Sequence, residues 1–214
     1  MSESSLMPAF LKVTLAFVAA GYLIGGIPFG FLIGKMRGVD VRTVGSKNIG
    51  ATNVYRTVGH AWGVLAFFCD FLKGLLPTLA ASWFAANGGV GEECADLGVW
   101  TGLACVVGHT LTPYMKFRGG KGVATAFGML MALVPWLVTA AFALFVVTVW
   151  ASHYISLGSC LAALFLAVMI WVPTPLAAPS LPLKVVMTAL GAFVVWKHRS
   201  NIARLAKGCE NKIY

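Results

Sequence analysis

What most constrains this chain is a succession of apolar runs, four of them close to or longer than the about 18–20 residues that a helix needs to cross a bilayer. They cover residues 10–33, 61–86, 97–115 and 123–150, and shorter apolar stretches follow at 160–171 and 185–196. Between them lie short polar loops. Of the 214 residues only 11% are charged, against about 25% in a soluble domain. The expected fold class is therefore an all-α integral membrane protein, a single domain over residues 1–214. The first run is longer than a signal-peptide core and lacks a small-residue cleavage site before its basic flank, so it reads as a retained helix.

Pro135 falls inside the fourth run. Proline ends one helix and suits the first position of the next, so residues 123–150 are expected to form two short helices. The stretch "NGGVGEECAD" at 87–96 reads as a short acidic turn, "SHYISLGS" at 152–159 as a polar turn, 173–184 as a proline-rich connection and 197–214 as a basic tail. Of the 16 Lys and Arg residues, all but Lys12, Lys73 and Lys184 lie in the segments 35–60, 116–122 and 197–214. Positive loops stay on the cytoplasmic side. The N-terminus is then outside and the C-terminus inside, which requires an odd number of spans. Splitting at Pro135 gives a seven-helix transmembrane bundle and brings 152–159 to the cytoplasmic side; without the split the alternative is five. The five cysteines are odd in number, scattered and without a CxxC pair, which reads as packing thiols.

Three polar segments on the basic side carry the chemistry. "FRGGKGVATA" (117–126) sets three glycines around Lys121. It is not a Walker A loop, which would need glycine where Met115 stands and Ser or Thr where Gly122 stands. Glycines still let backbone N–H groups approach an anion, and the start of a following helix adds its dipole. The competing reading is a basic anchor among lipid headgroups. "GSKNIGATNVYRTVG" (45–59) packs small hydrogen-bonding residues ahead of Arg56, and is otherwise an ordinary polar loop. In the tail, His198, Asn201 and Arg204 follow at steps of three and share a ridge if the last helix continues; a solvated basic tail is the plainer alternative. Asp70 and Lys73 stand one turn apart inside the second run. Buried charges in a bilayer pair and mark sites, and a helix-to-helix ion pair is as good a reading as a direct role.

"GGIPFGFLIGKMRGVDVRTVGSKNIGATNVYRTVG", "CDFLKGLLP", "GHTLTPYMKFRGGKGVATA", "YISLGS" and "HRSNIARLAKGCENK" together resemble the bacterial acyl-phosphate:glycerol-3-phosphate acyltransferases, the PlsY family. The match runs in order from Gly25 to the C-terminus, with departures at Lys47 and at Arg199–Ser200. The resemblance implies transfer of a fatty acyl group from acyl phosphate to glycerol 3-phosphate, giving 1-acyl-glycerol 3-phosphate (lysophosphatidic acid) and phosphate, the first membrane step of phospholipid synthesis. It places the active site on the cytoplasmic side of a bacterial inner membrane. It assigns Lys121, Arg56 and His198 as catalytic, and Ser46, Asn48, Gly50, Thr52, Asn53, Gly119, Gly120, Ser156 and Asn201 to substrate binding. Asn201 and Glu210 match tail positions without an assigned chemical step, and His109 reads as a structural histidine. Implied partners are acyl phosphate, glycerol 3-phosphate, membrane lipid and the soluble enzyme that makes acyl phosphate, with no nucleic acid.

The missing motifs agree with that chemistry. The residues five after His60, His109, His153 and His198 are Leu65, Tyr114, Gly158 and Ala203, so no HxxxxD acyltransferase motif exists. There is no GxSxG and no carboxylate cluster for a metal; no cofactor and no metal are expected. An acyl phosphate is already activated, so orientation and charge stabilisation suffice. A substrate phosphate oxygen could take the hydroxyl proton, with His198 as the alternative base. Two other classes compete: a small anion transporter, which would spread polar residues through the membrane depth and show a repeat between halves, and a non-catalytic scaffold, which would need none of the three glycine-polar segments.

Overall fold

The computed structural model describes residues 8–88, 92–175 and 178–213, and all regular structure among them is helical. In chain order the helices are α1 (Ala9–Gly26), α2 (Phe29–Met36), α3 (Ala51–Thr57), α4 (His60–Ala86), α5 (Leu97–Thr110), α6 (Val123–Leu133), α7 (Pro135–Ser152), α8 (Ile155–Met169), α9 (Leu181–Lys197) and α10 (Arg199–Ala206). Part of the expected turn at 87–96, part of the proline-rich connection at 173–184 and the N-terminal end lie outside the described residues.

Among the described residues three segments are long and apolar enough to cross a membrane: Ala9–Met36, His60–Ala86 and Pro135–Ser152. The count rises to four if Leu181–Lys197 and Arg199–Ala206, bent by 53° at their junction, form one span. α6 and α8 are shorter apolar helices. α7 shows why the bundle needs lipid. It buries Leu137, Val138 and Ala141 and turns Phe142, Val146, Val147 and Trp150 outward, Trp150 being 75% exposed. A helix apolar on every side is stable only where the outside is apolar too.

Close backbone approach holds the bundle together. Gly21 and Gly25, one turn apart on α1, lie against Thr101 and Cys105 of α5, and Gly108 of α5 lies against the Tyr22 carbonyl. A methyl group at Gly25 or Gly108 would overlap backbone. Gly74 of α4 and Gly128 of α6 dovetail in the same way against Thr125 and Phe71. Small residues at these spacings let membrane helices pack without a hydrophobic drive between them. Met129, Leu137, Ile170 and Met187 fill the largest core cluster.

Several boundaries differ from expectation. The first run is two helices, because Pro28 has no N–H to continue the ladder. The break frees carbonyls that other segments satisfy: Thr112 Oγ1, just past α5, donates to Gly26 O at 2.6 Å and Lys73 Nζ of α4 donates to Ile27 O at 2.7 Å. Pro135 does open α7. The helix of the third apolar run, α5, stops at Thr110 rather than 115, and Pro113–Met115 forms a separate 3₁₀ turn. The polar stretch 152–159 is mostly helix: only His153, in the left-handed region at φ 66°, and Tyr154 separate α7 from α8. α9 begins at Leu181, four residues before the expected 185, where Ser180 accepts the Leu183 N–H and donates to Asp96 at 2.6 Å. The tail does not continue α9 straight; it bends at His198. The Asp70–Lys73 pair, Nζ to Oδ1 at 2.7 Å, lies within α4 and not between helices. Its link to other helices runs through the Ile27 carbonyl and through His109 of α5. All five cysteines are unpaired.

Candidate active site

Asn53 organises the first wall. It is buried at 2% exposure. Its Oδ1 accepts the Ser46 N–H at 2.9 Å, and its Nδ2 donates to the carbonyls of Val41, Asn48 and Val44 at 2.8, 2.9 and 3.2 Å. That amide is fully spent on shaping the 41–48 loop. Asn48 Oδ1 accepts the Gly50 N–H at 2.8 Å, so its free group is the amide nitrogen. The side chains of this wall left to meet a ligand are the Ser46 and Thr52 hydroxyls, the Asn48 amide nitrogen and Arg56.

The second wall is the turn before α6. The glycines were expected to bare their N–H groups to an anion. Instead Gly119 N–H donates to Thr110 O and Gly120 N–H donates to His109 O, both at 3.1 Å. Side chains there would overlap the His109 carbonyl and the His109 ring. These two glycines are small so that the turn can lie flat on the end of α5. What the turn delivers is Lys121, whose ammonium donates to Asn201 Oδ1 at 2.6 Å.

The third wall is the tail. Glu210 is 7% exposed and gathers three donors: Ser156 Oγ at 2.9 Å and Asn201 Nδ2 at 2.5 Å on Oε1, and Arg204 Nε at 2.6 Å on Oε2. Around it the chain forms a strap. Ile213 N–H donates to His153 O and Arg56 Nη2 donates to Asn211 O, both at 2.9 Å. The Arg56 Nε is buried without a hydrogen-bond partner. Sequence reasoning gave Glu210 no task. Its partner Ser156 is distant in the chain, and the Asn211 contact is made by a carbonyl, which any residue would supply.

All twelve residues named from the sequence, together with Arg204 and Glu210, line one cavity of about 820 Å³. Its apolar side, at Phe67, Phe142 and Phe145, is shared with a narrower pocket running between α6, α7, α8 and α9 toward Leu166 and Met187. Burial sets the charge states. It pulls Lys121 down to about 8, against the opposing pull of Glu210. It lowers Arg56, which stays charged. Burial and the nearby Lys121 push His198 down to about 4. His198 Nδ1 lies 2.8 Å from the Val194 carbonyl, so Nδ1 carries the proton and Nε2 keeps its lone pair. For Glu210, burial pushes the carboxyl up, but its hydrogen bonds from Asn201, Arg204 and Ser156 outweigh that and hold it below 4.5. No group of three or more metal-ligating side chains exists among the described residues.

Apolar helix exteriors around a basic cleft with an apolar side are the features of an integral membrane protein with an anion-suited site. The family model for glycerol-3-phosphate acyltransferase matches residues 15–208. A glycerol-3-phosphate acyltransferase of Trichlorobacter lovleyi is 45% identical over 199 residues, covering 92% of this chain and 96% of its own, and that of Geobacter sulfurreducens is 41% identical over 206 residues, covering 92% and 96%. The crystal structure of PlsY (YgiH), an integral membrane glycerol 3-phosphate acyltransferase, in its glycerol 3-phosphate form superposes with a TM-score of 0.83 at 38% identity, covering 94% of this chain and 95% of that one. Its lysophosphatidic acid form gives 0.81 at 36% identity, with the same coverage. The chain belongs to the glycerol-3-phosphate acyltransferase family, and within it to the membrane-embedded PlsY group.

Proposed function

We propose that this single-domain protein transfers a fatty acyl group from acyl phosphate to glycerol 3-phosphate, releasing 1-acyl-glycerol 3-phosphate and inorganic phosphate. The observation that carries this reading is the joining of one cationic cleft, with Lys121, Arg56 and Arg204 on its walls, to an apolar pocket through shared phenylalanines. Such a site suits a donor with a phosphate head and a hydrocarbon tail, beside a second, small phosphate ester. The donor phosphate lies against Lys121 and the 46–53 wall, with its chain along Phe142 and Phe145. Glycerol 3-phosphate lies against Arg56, Ser156 and His198. The acceptor hydroxyl oxygen attacks the carbonyl carbon, the carbon–oxygen bond to phosphate breaks, and the hydroxyl proton ends on a phosphate oxygen. A histidine titrating at about 4 is a poor match for a base at neutral pH. His198 Nε2 therefore accepts a hydrogen bond from the acceptor and orients it. The donor test is turnover of purified protein with acyl phosphate against acyl-CoA; equal or faster turnover with acyl-CoA overturns the proposal.

The fold has seven crossings in this reading, α1 with α2, then α4 to α9 singly, with the N-terminus outside and the cleft on the cytoplasmic face of the inner membrane. The support is that 35–60, 116–122 and 197–214 hold most of the basic residues. A cysteine placed at 156 is expected to resist an impermeant external reagent in intact cells; rapid labelling would contradict this orientation.

The charge states predict a pH profile. Lys121 must be charged to hold phosphate, and its charged form is lost as pH rises through about 8. The ratio kcat/KM for acyl phosphate is expected to fall above that pH, while kcat, measured with the dianion bound beside the ammonium, holds to higher pH. Arg56→Ala is expected to raise KM for glycerol 3-phosphate mainly, because a guanidinium fork suits a phosphate that is bound but not broken. His198→Ala is expected to resemble it and to leave the neutral-pH profile unchanged. Loss of a limb near neutral pH in His198→Ala would instead make the imidazole the proton acceptor.

A further inference from the structure

Below the cleft lie three buried polar residues with no part in the chemistry above. Asp70 and Lys73 of α4 and His109 of α5 are 2%, 4% and 5% exposed. Lys73 is held by the Asp70 carboxylate and the Ile27 carbonyl, each at 2.7 Å. Asp70 Oδ1, which already meets Lys73 Nζ, also faces His109 Nδ1 at 3.6 Å, and that nitrogen has no aligned hydrogen-bond partner. A buried ring nitrogen left in that state is costly, so a simple packing role accounts poorly for His109. Both Asp70 and His109 reach the floor of the cleft; Lys73 does not.

His109 also carries the turn above it. Its carbonyl accepts the Gly120 N–H at 3.1 Å. Its ring Nε2 occupies the space that a side chain at Gly120 would take. Lys121 is the next residue. A carboxylate facing Nδ1 favours the tautomer with the proton on that nitrogen and fixes the ring plane, as an outer partner orients a histidine in other sites.

We propose that His109 is a positioning residue for the acyl transfer proposed above, on which this inference rests: the Asp70–Lys73 pair clamps its ring, the ring seats the Gly119–Gly120 turn, and the turn sets the Lys121 ammonium against the substrate phosphate. The three residues form one device that carries the order of the α4–α5 packing into the cleft. Small displacements of a charged group in a reacting site have large kinetic effects, which gives buried charges a use at this depth.

Two variants of the full chain test it. His109→Phe keeps the ring volume and removes both nitrogens. Asp70→Asn combined with Lys73→Met removes both charges together, so no lone buried charge is left to unfold the bundle. Three quantities are read on purified protein in detergent: the thermal midpoint; kcat and both KM values; and the pH dependence of Lys121 modification by an amine-acylating reagent, followed by mass spectrometry. Both variants are expected to fold, to lose about tenfold in kcat with little change in KM for glycerol 3-phosphate, and to shift the Lys121 titration from about 8 toward the ordinary 10.5. Unchanged kcat and unchanged Lys121 titration in a folded variant overturn the proposal. So does a kcat loss that only follows a lowered midpoint with Lys121 titrating as before. If His109→Phe does not fold, the charge-free double variant decides. The labelling needs no turnover, so a wild-type protein that failed to acylate glycerol 3-phosphate would remove the functional reading while the seating of Lys121 was still decided.

Discussion

Replacing Lys121 with alanine is expected to lower kcat about 10- to 100-fold, the effect of losing roughly 1.5–3 kcal/mol of charge-assisted interaction in a largely desolvated site. Its ammonium is held on Asn201 Oδ1 at 2.6 Å at the wall of the cleft. Arg56 and Arg204 line the same cavity, but Arg204 is tied to Glu210 and Arg56 is committed to glycerol 3-phosphate in the proposed arrangement, so neither replaces it at the donor phosphate. Stability is expected to change little or to rise, because the lost lysine was charged against its desolvation. Steady-state kinetics on folded variant protein check this. Near-wild-type kcat and KM values in both Lys121→Ala and Arg56→Ala would remove the site from this cavity altogether.

Replacing Glu210 with alanine is expected to damage both stability and catalysis. The carboxylate holds Ser156, Asn201 and Arg204 at once. Breaking a buried ion pair typically costs about 3–5 kcal/mol. Arg204 is 37% exposed in its side chain and can turn to water, so about 3 kcal/mol is the better figure. Asn201 would lose the contact that aims its Oδ1 at Lys121, so activity should fall even below the melting transition. The linkage sign follows from the depressed carboxyl. Its contribution is full above the ordinary value of 4.5 and is lost as pH falls through the lower folded value. Thermal midpoints of wild type and Glu210→Ala should therefore converge in acid; a constant gap down to low pH would contradict the assignment.

The polar residues of the cleft were legible because a bilayer leaves few places for them. Ser46, Thr52, Arg56, Lys121, His198 and Asn201 stand in basic loops between apolar runs, and their convergence follows from short connections on one side of a small bundle. Pro135 was equally plain, since a missing N–H has one consequence in mid-helix. What escaped the sequence was how the loops are tied. Asn53 spends its whole amide on neighbouring backbone. Gly119 and Gly120 are small for the sake of α5, a reason that glycine-rich spacing alone does not separate from anion binding. Ser156 lies in the first turn of α8 because the polar run 152–159 contains only two non-helical residues. Pro28 breaks the first span by the same physics as Pro135, but its consequence, a lysine in the second span serving a freed carbonyl, depends on which helices are neighbours.

The most direct test of acyl transfer follows the bridging oxygen of the donor. Acyl phosphate carrying ¹⁸O between carbonyl carbon and phosphorus is incubated with purified protein and glycerol 3-phosphate, and the products are weighed by mass spectrometry. Attack at the carbonyl predicts one inorganic phosphate with the label for every unlabelled 1-acyl-glycerol 3-phosphate formed. Label in free fatty acid with a newly phosphorylated glycerol, or no acylated product at all, would contradict it.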